Sequence, residues 1–253
     1  MTAAPTVLVT GMSGLIGGFV GAHLAKRYAL RALNRRPVEG VDTVCADVAD
    51  FAALRPAFEG VEVVVHLAAL IEGSDAQILA TNVNGTYNVL EAARQAGVRR
   101  VVFASSGSVC GGYESDERAV GLVAGAYAQV PRSWRRLRHD DPTRPNGIYA
   151  ASKVAGEALG RTYAEAHGLS VLCLRLGRVE AADRPLSPRH MAVFLTQGDC
   201  RRLFDCAVEA PAGLGFDVFF GTSANKWGFR DLDHPRRAIG YSPEDRLGDW
   251  PLS

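Results

Sequence analysis

Short apolar runs recur along the chain, each followed by a stretch long enough for a helix. Residues 7–10, 30–33, 42–46, 61–68, 101–105 and 169–174 have the length and β-branched content of strands, and residues 15–27, 51–57, 77–96 and 148–167 the periodicity of helices. Val61-Glu62-Val63-Val64-Val65-His66-Leu67 is continuously apolar but for Glu62 near its start, which fits a strand buried on both faces. The alternation predicts an α/β fold, a doubly wound parallel sheet covered by helices on both sides. In such sheets ligands bind at the carboxyl ends of the strands.

The rhythm breaks over residues 114–145, expected to be a long loop with one helical turn. It carries the basic run Arg132-Ser133-Trp134-Arg135-Arg136-Leu137-Arg138. That run is expected to be a solvated surface helix anchored by Trp134, with closure of Arg132, Arg135, Arg136 and Arg138 over an anionic substrate as the alternative. After Arg175 only one helix (199–209) and one strand (216–221) are expected, too little for an independent domain. Residues 1–253 therefore read as a single domain, in which residues from about 176 to 253 contribute a small substrate-side portion.

Composition narrows the function classes. A chain of 253 residues, 47% hydrophobic, can bury one sizeable core. Its 28 basic and 27 acidic side chains give no pull toward nucleic acid or an anionic membrane. No apolar run approaches the roughly 18 residues of a membrane span, and the start lacks the basic residues and cleavage site of a signal peptide, so the expected setting is cytoplasmic. Cys45, Cys110, Cys173, Cys200 and Cys206 form no CxxC pair and are expected as reduced core thiols. His23, His66, His139, His167, His190 and His234 show no ligand spacing, so no metal site is expected.

Candidate chemistry begins at Thr10-Gly11-Met12-Ser13-Gly14-Leu15-Ile16-Gly17, between the first strand and the first helix. Gly11 would permit the tight turn, Gly14 would let backbone approach a pyrophosphate, and Gly17 would let helix and strand pack closely. The helix N-terminus supplies NH groups and the positive end of its dipole. The second strand ends Leu33-Asn34-Arg35-Arg36, with no acid where an NAD-selective site usually presents one to the ribose diol. Arg35 and Arg36 would suit a 2′-phosphate and Asn34 a ribose hydroxyl, so NADP is expected over NAD, the bland alternative being solvated arginines. Asp47, followed by Val48, is either an adenine-side contact or a loop cap.

Tyr149-Ala150-Ala151-Ser152-Lys153 begins a helix, which puts the phenol and the ammonium on one face. With 7 tyrosines, and Lys26, Lys153 and Lys226 as its lysines, the chain would show this spacing by chance only about 0.1 times. A phenol with a pKa near ~10 is a poor base at neutral pH unless a cation favours the phenolate, as Lys153 would. Ser105 and Ser106 end a strand at the ligand edge, where Ser106 would hydrogen-bond a substrate oxygen or, alternatively, cap the chain. Together Ser106, Tyr149 and Lys153 suit proton transfer coupled to hydride transfer.

These segments, with His66-Leu67-Ala68-Ala69 and Asn82-Val83-Asn84-Gly85-Thr86, resemble the extended branch of the short-chain dehydrogenase/reductases, the NAD-dependent epimerase/dehydratase family with a Rossmann fold. The resemblance implies a catalytic trio of Ser106, Tyr149 and Lys153, with Lys153 also on the nicotinamide ribose. It implies cofactor contacts at Ser13, Leu15, Ile16, Leu67, Ala68, Ala69, Asn82, Ser105 and Leu176 besides those named above. His66 becomes part of a strand motif rather than a base. Residues 101–106, Arg175-Leu176-Gly177, residues 220–225 and residues 239–243 are similar to uronate dehydrogenases, which oxidise a hexuronate at its anomeric carbon to the aldarolactone. On that likeness Arg175 would hold the substrate carboxylate, and Gly107 and Ser108 would border the substrate.

Gly107-Ser108 stands where uronate dehydrogenases carry Asn-His, and Arg178 where they carry serine. The reading is thus an NADP-linked oxidoreductase, with NAD as the alternative cofactor, of a small sugar, sugar acid or related polyhydroxy compound, an anionic substrate being the expectation that rests on Arg175. A nucleotide-sugar epimerase or dehydratase and a nonenzymatic NADP sensor are the alternatives. Apolar residues on more than one face of helices 77–96 and 148–167 suggest a homodimer.

Overall fold

The computed structural model describes residues 4–250. Seven strands form one parallel sheet in the order β3-β2-β1-β4-β5-β6-β7. They are β1 (Thr6–Thr10), β2 (Ala29–Asn34), β3 (Asp42–Cys45), β4 (Val63–His66), β5 (Arg100–Ser106), β6 (Ser170–Leu176) and β7 (Phe216–Gly221). The order reverses between β1 and β4, whose carboxyl ends meet in register at Thr10 and His66 and open a crevice there.

Helix α1 (Leu15–Leu24) follows β1, and the short α2 (Phe51–Leu54) passes at Pro56 into a 3-10 turn. The helix expected over 77–96 is α3 (Asp75–Leu79), a π turn (Ala80–Asn84) and α4 (Gly85–Gln95) run together. Then come α5 (Glu117–Ala124), α6 (Ile148–His167), α7 (His190–Val193), α8 (Gln197–Val208) and α9 (Asp233–Ile239). α1 and α8 cover one face of the sheet over Val9 and Leu172; α4 and α6 cover the other over Val64 and Phe103.

Arg100 fixes α8 to the sheet. Fully buried at the start of β5, it donates to Ser170 Oγ and to the carbonyls of Ala207, Val208, Ala210 and Pro211. Those carbonyls end a helix and lack intrahelical donors, and the guanidinium supplies them.

Three local expectations are corrected. The segment 114–145 holds the two turns of α5, not one, ended by Gly125 at φ 73°. Arg132–138 is not helical, because Leu137 pairs as a β-bridge with Arg230 and Trp134 donates to the Gly228 carbonyl at 3.1 Å while packing on Trp227. Arg135 and Arg138 are exposed and paired with Asp141 and Asp140. Cys110, Cys173 and Cys200 are buried free thiols and Cys206 is partly buried, but Cys45 is exposed at the sheet edge. Among the described residues no helix is long and apolar enough to cross a membrane.

Candidate active site

A cavity of about 900 Å³ runs along the carboxyl ends of the central strands, from Asn34 and Arg36 across β1 and β4 to Ser106, Tyr149 and Arg230. Its floor is the turn after β1. Gly11 has φ 68°, and a Cβ there would lie 2.8 Å from Ala68 Cα, so the crossing of the two strand ends requires glycine. A Cβ on Gly17 would come within 2.4 Å of the Gly11 carbonyl, so helix α1 starts this close to β1 only without one. Among the described residues no side chain caps the start of α1, leaving its first NH groups for a ligand.

At one end Asn34 is buried and bonded through both ends of its amide: its Oδ1 accepts from Ser13 Oγ at 3.1 Å and its Nδ2 donates to the Arg36 carbonyl at 2.7 Å. It braces the glycine turn. Arg35 and Arg36 line the cavity with exposed side chains, in no ion pair among the described residues. Asp47 also lines it, while its Oδ1 accepts from the Ala49 NH at 2.9 Å, so it caps its own loop as well.

At the switch point Thr10 Oγ1 accepts from the NH groups of Leu67 and Ala68, which leaves its proton for His66 Nδ1 at 2.7 Å. His66 Nε2 then carries the ring proton and donates to Thr86 Oγ1 at 3.1 Å. Burial, helped by nearby Lys153, pushes the His66 pKa down to about 3, so the ring is a neutral brace.

At the other end Ser106 closes β5, and Tyr149 and Lys153 project from the first turns of α6. Ser106 Oγ accepts from Ser108 N at 3.1 Å and from Ser108 Oγ at 2.8 Å. With both lone pairs occupied, its proton is free to be donated into the cavity. Lys153 is 3% exposed, donates to the Ala104 carbonyl at 2.8 Å, and lies 5.8 Å from the centre of the Tyr149 ring. Burial lowers the Lys153 pKa to about 8 and raises that of the Tyr149 phenol, an effect the Ser106 hydroxyl opposes.

Of the expected contacts, Leu15, Ile16, Val48, Leu67, Ala69, Ser105, Gly107 and Leu176 also line the cavity, and two residues do not. Asn82 sits behind the wall in the π turn, bonded through its side chain to both the NH and the carbonyl of Leu70 and to Ser152 Oγ. It ties the Leu70 loop to α6 rather than bordering the cavity. Arg175, expected on the substrate carboxylate, is 3% exposed; it donates to both oxygens of Glu157, at 2.9 and 2.8 Å, and to the His139 carbonyl at 3.1 Å. It is a buried structural cation turned away from the cavity.

The arginines that do reach the cavity's far end are Arg178, Arg189 and Arg230. Arg230 carried no sequence signal, since it lies in the irregular tail and reaches the site only through its bridge to Leu137. The fold also gathers His139, Asp217 and His234 outside this cavity, with ligand atoms within 4.8 Å of one another. The two rings are stacked 3.6 Å apart and 7° from parallel, so their in-plane lone pairs do not converge on one ion.

A model of the NAD dependent epimerase/dehydratase family matches residues 7–197. An L-arabinose 1-dehydrogenase (NAD(P)(+)) of Haloferax volcanii is 38% identical, over 94% of this chain and 96% of its own. An NAD-dependent glucose-6-phosphate dehydrogenase of the same organism is 32% identical, over 96% of this chain and 95% of its own. Among solved structures, uronate dehydrogenase from Agrobacterium tumefaciens superposes with a TM-score of 0.81 at 31% identity, covering 97% of this chain and 86% of that one.

Proposed function

The chain belongs to the NAD-dependent epimerase/dehydratase family, and from that premise we propose that it is an NADP-preferring dehydrogenase that oxidises a small sugar or sugar acid at its anomeric carbon. The observation that carries the reading is the meeting, in one cavity, of a glycine turn shaped for a pyrophosphate with Ser106, Tyr149 and Lys153. Relatives named for oxidation of arabinose, glucose 6-phosphate and uronates support the reaction class. When bound, the nicotinamide dinucleotide supplies the hydride acceptor.

Gly11, Gly14 and Gly17 at the start of α1 would hold its phosphates, and Asn34, Arg35, Arg36 and Asp47 its adenosine end. The exposed pair Arg35 and Arg36, with no carboxylate at position 34, favours a 2′-phosphate. Tyr149 takes the proton of the anomeric hydroxyl as the C1–H bond gives up its hydride, leaving a lactone. Ser106 donates its free proton to the reacting oxygen and Lys153 offsets the charge on the phenolate. Burial keeps water from competing for these groups.

Residues from about 176 onward form the substrate side of one dinucleotide-binding domain, and exposure of Tyr87 on α4 (48%) supports pairing of two chains through α4 and α6. The test is nicotinamide absorbance with galacturonate, glucuronate and the parent hexoses, each with NADP and with NAD. Reduction by at least one sugar, faster with NADP, is expected; silence from all of them, with NADPH bound, would overturn the dehydrogenase reading.

A further inference from the structure

We infer that Arg230 is the residue that recognises an anionic group on the substrate, and that this group is a carboxylate seated beside Ser106 and Gly107. The inference rests on the dehydrogenase reading for what the cavity holds, but its own support is independent. Arg230 is 3% exposed and lines the cavity. Its Nε and Nη1 are buried with no hydrogen-bond partner among the described residues. A buried guanidinium with idle donors is a costly arrangement unless a ligand completes it.

The surroundings hold it in place without neutralising it. The backbone on either side is pinned to Leu137, whose NH donates to the Phe229 carbonyl and whose carbonyl accepts from Asp231. Phe220 and Phe229 flank the guanidinium carbon, each with its ring centre 5.7 Å away. Gly107 makes the room: a Cβ at that position would fall 2.3 Å from Nη1 and Nη2. Burial lowers the Arg230 pKa to about 10, so the group is still charged at neutral pH.

Charge balance selects the ligand. Arg178 is paired with Glu180 at 2.6 Å. Arg189 donates to both oxygens of Glu114, at 2.5 and 2.7 Å. That leaves Glu114 4.0 Å from Arg230 Nη2, too far for a hydrogen bond. Of these three arginines, Arg230 is thus the one with no carboxylate within hydrogen-bond distance among the described residues. A carboxylate, with one negative charge and two oxygens matched to a guanidinium edge, matches this guanidinium one for one; a phosphate dianion exceeds it by one charge.

The test is calorimetric titration of glucuronate, galacturonate, glucose and glucose 6-phosphate into the whole protein with saturating NADPH, so that nothing turns over. A uronate should bind more tightly than glucose and glucose 6-phosphate. Arg230→Gln should weaken the uronate about 100-fold and glucose less than about threefold, with Arg230→Lys recovering part of the loss. Gly107→Ala keeps the charge but displaces the guanidinium, and should weaken the uronate as well; it decides the matter if Arg230→Gln does not fold. Equal uronate affinity in the wild type and these variants, no uronate binding, or a preference for glucose or glucose 6-phosphate would overturn the assignment. Uronate binding that depends on Arg230, without cofactor reduction, would uphold Arg230 and overturn the dehydrogenase reading. Turnover of neutral sugars unaffected by Arg230→Gln would do the reverse.

Discussion

Arg175 on β6 and Glu157 on α6 form a two-bonded ion pair inside the protein, joined at the same carboxylate by Ser105 Oγ at 2.6 Å. The pair binds the helix that carries Tyr149 and Lys153 to the strand beside β5. Removing one charge strands the other in the interior, which costs about 3–5 kcal/mol. Glu157→Gln is therefore expected to lower the unfolding free energy by about 3 kcal/mol, read as a shift in urea midpoint at unchanged slope. A variant as stable as the wild type would show that the pair does not hold α6 in place.

Tyr149→Phe removes the phenol oxygen and keeps the ring. Turnover should fall by about 10³-fold or more, with NADPH affinity by fluorescence titration within about twofold. Near-normal turnover would remove Tyr149 from the proton-transfer step.

The pH dependence of stability follows from Lys153 and His66, both held below their ordinary values, to about 8 and about 3, by burial. Each binds its proton less readily folded than unfolded, so stability rises with pH wherever only the unfolded chain is protonated. His66 gives a rise between about pH 3 and 6.5, complete above that window, and Lys153 a rise between about pH 8 and 10.5. Below pH 8 the buried ammonium costs roughly 3 kcal/mol. Lys153→Met should melt higher at pH 7 than the wild type and lose the rise above pH 8, while losing turnover. A lower melting temperature would show that the bond from Lys153 to the Ala104 carbonyl outweighs its desolvation.

Cofactor preference tests the adenosine end. Arg35→Ala with Arg36→Ala, combined with Asn34→Asp, should shift the ratio of kcat/KM from NADP toward NAD by about 100-fold or more, two charge-assisted contacts being lost. An unchanged ratio would make both arginines solvated bystanders. Because Asn34 also braces Ser13 and the Arg36 carbonyl, the double arginine variant alone should be measured beside the triple one.

Local signals were enough for the sheet, the glycine turn, and the approach of Ser106, Tyr149 and Lys153. β-branched runs mark buried strands, glycines at fixed spacing mark a close crossing, and a Tyr–Lys pair four apart shares a helix face whatever packs around it. The helix expected over 77–96 is present, but the π turn within it carried no local signal. Asn82 in that turn bonds the Leu70 loop and Ser152, partners distant in sequence.

The arginines show where sequence stops. Arg175, Arg189 and Arg230 are the same chemical group, and nothing within a few residues of any of them says whether it meets a carboxylate of its own chain or an open cavity; only Arg178 has its partner, Glu180, close by in sequence. The sequence by itself determined the parallel sheet, the glycine turn before α1 and the shared Tyr149–Lys153 face of α6, because each depends on periodicity and spacing along one or two elements. Only the tertiary structure decided that Glu157 takes Arg175, that Glu114 takes Arg189, and that Arg230 is left unmatched above Gly107. A side chain's electrostatic partner is set by which distant segments the fold brings within hydrogen-bond distance, and that is not written in the neighbourhood of the residue itself.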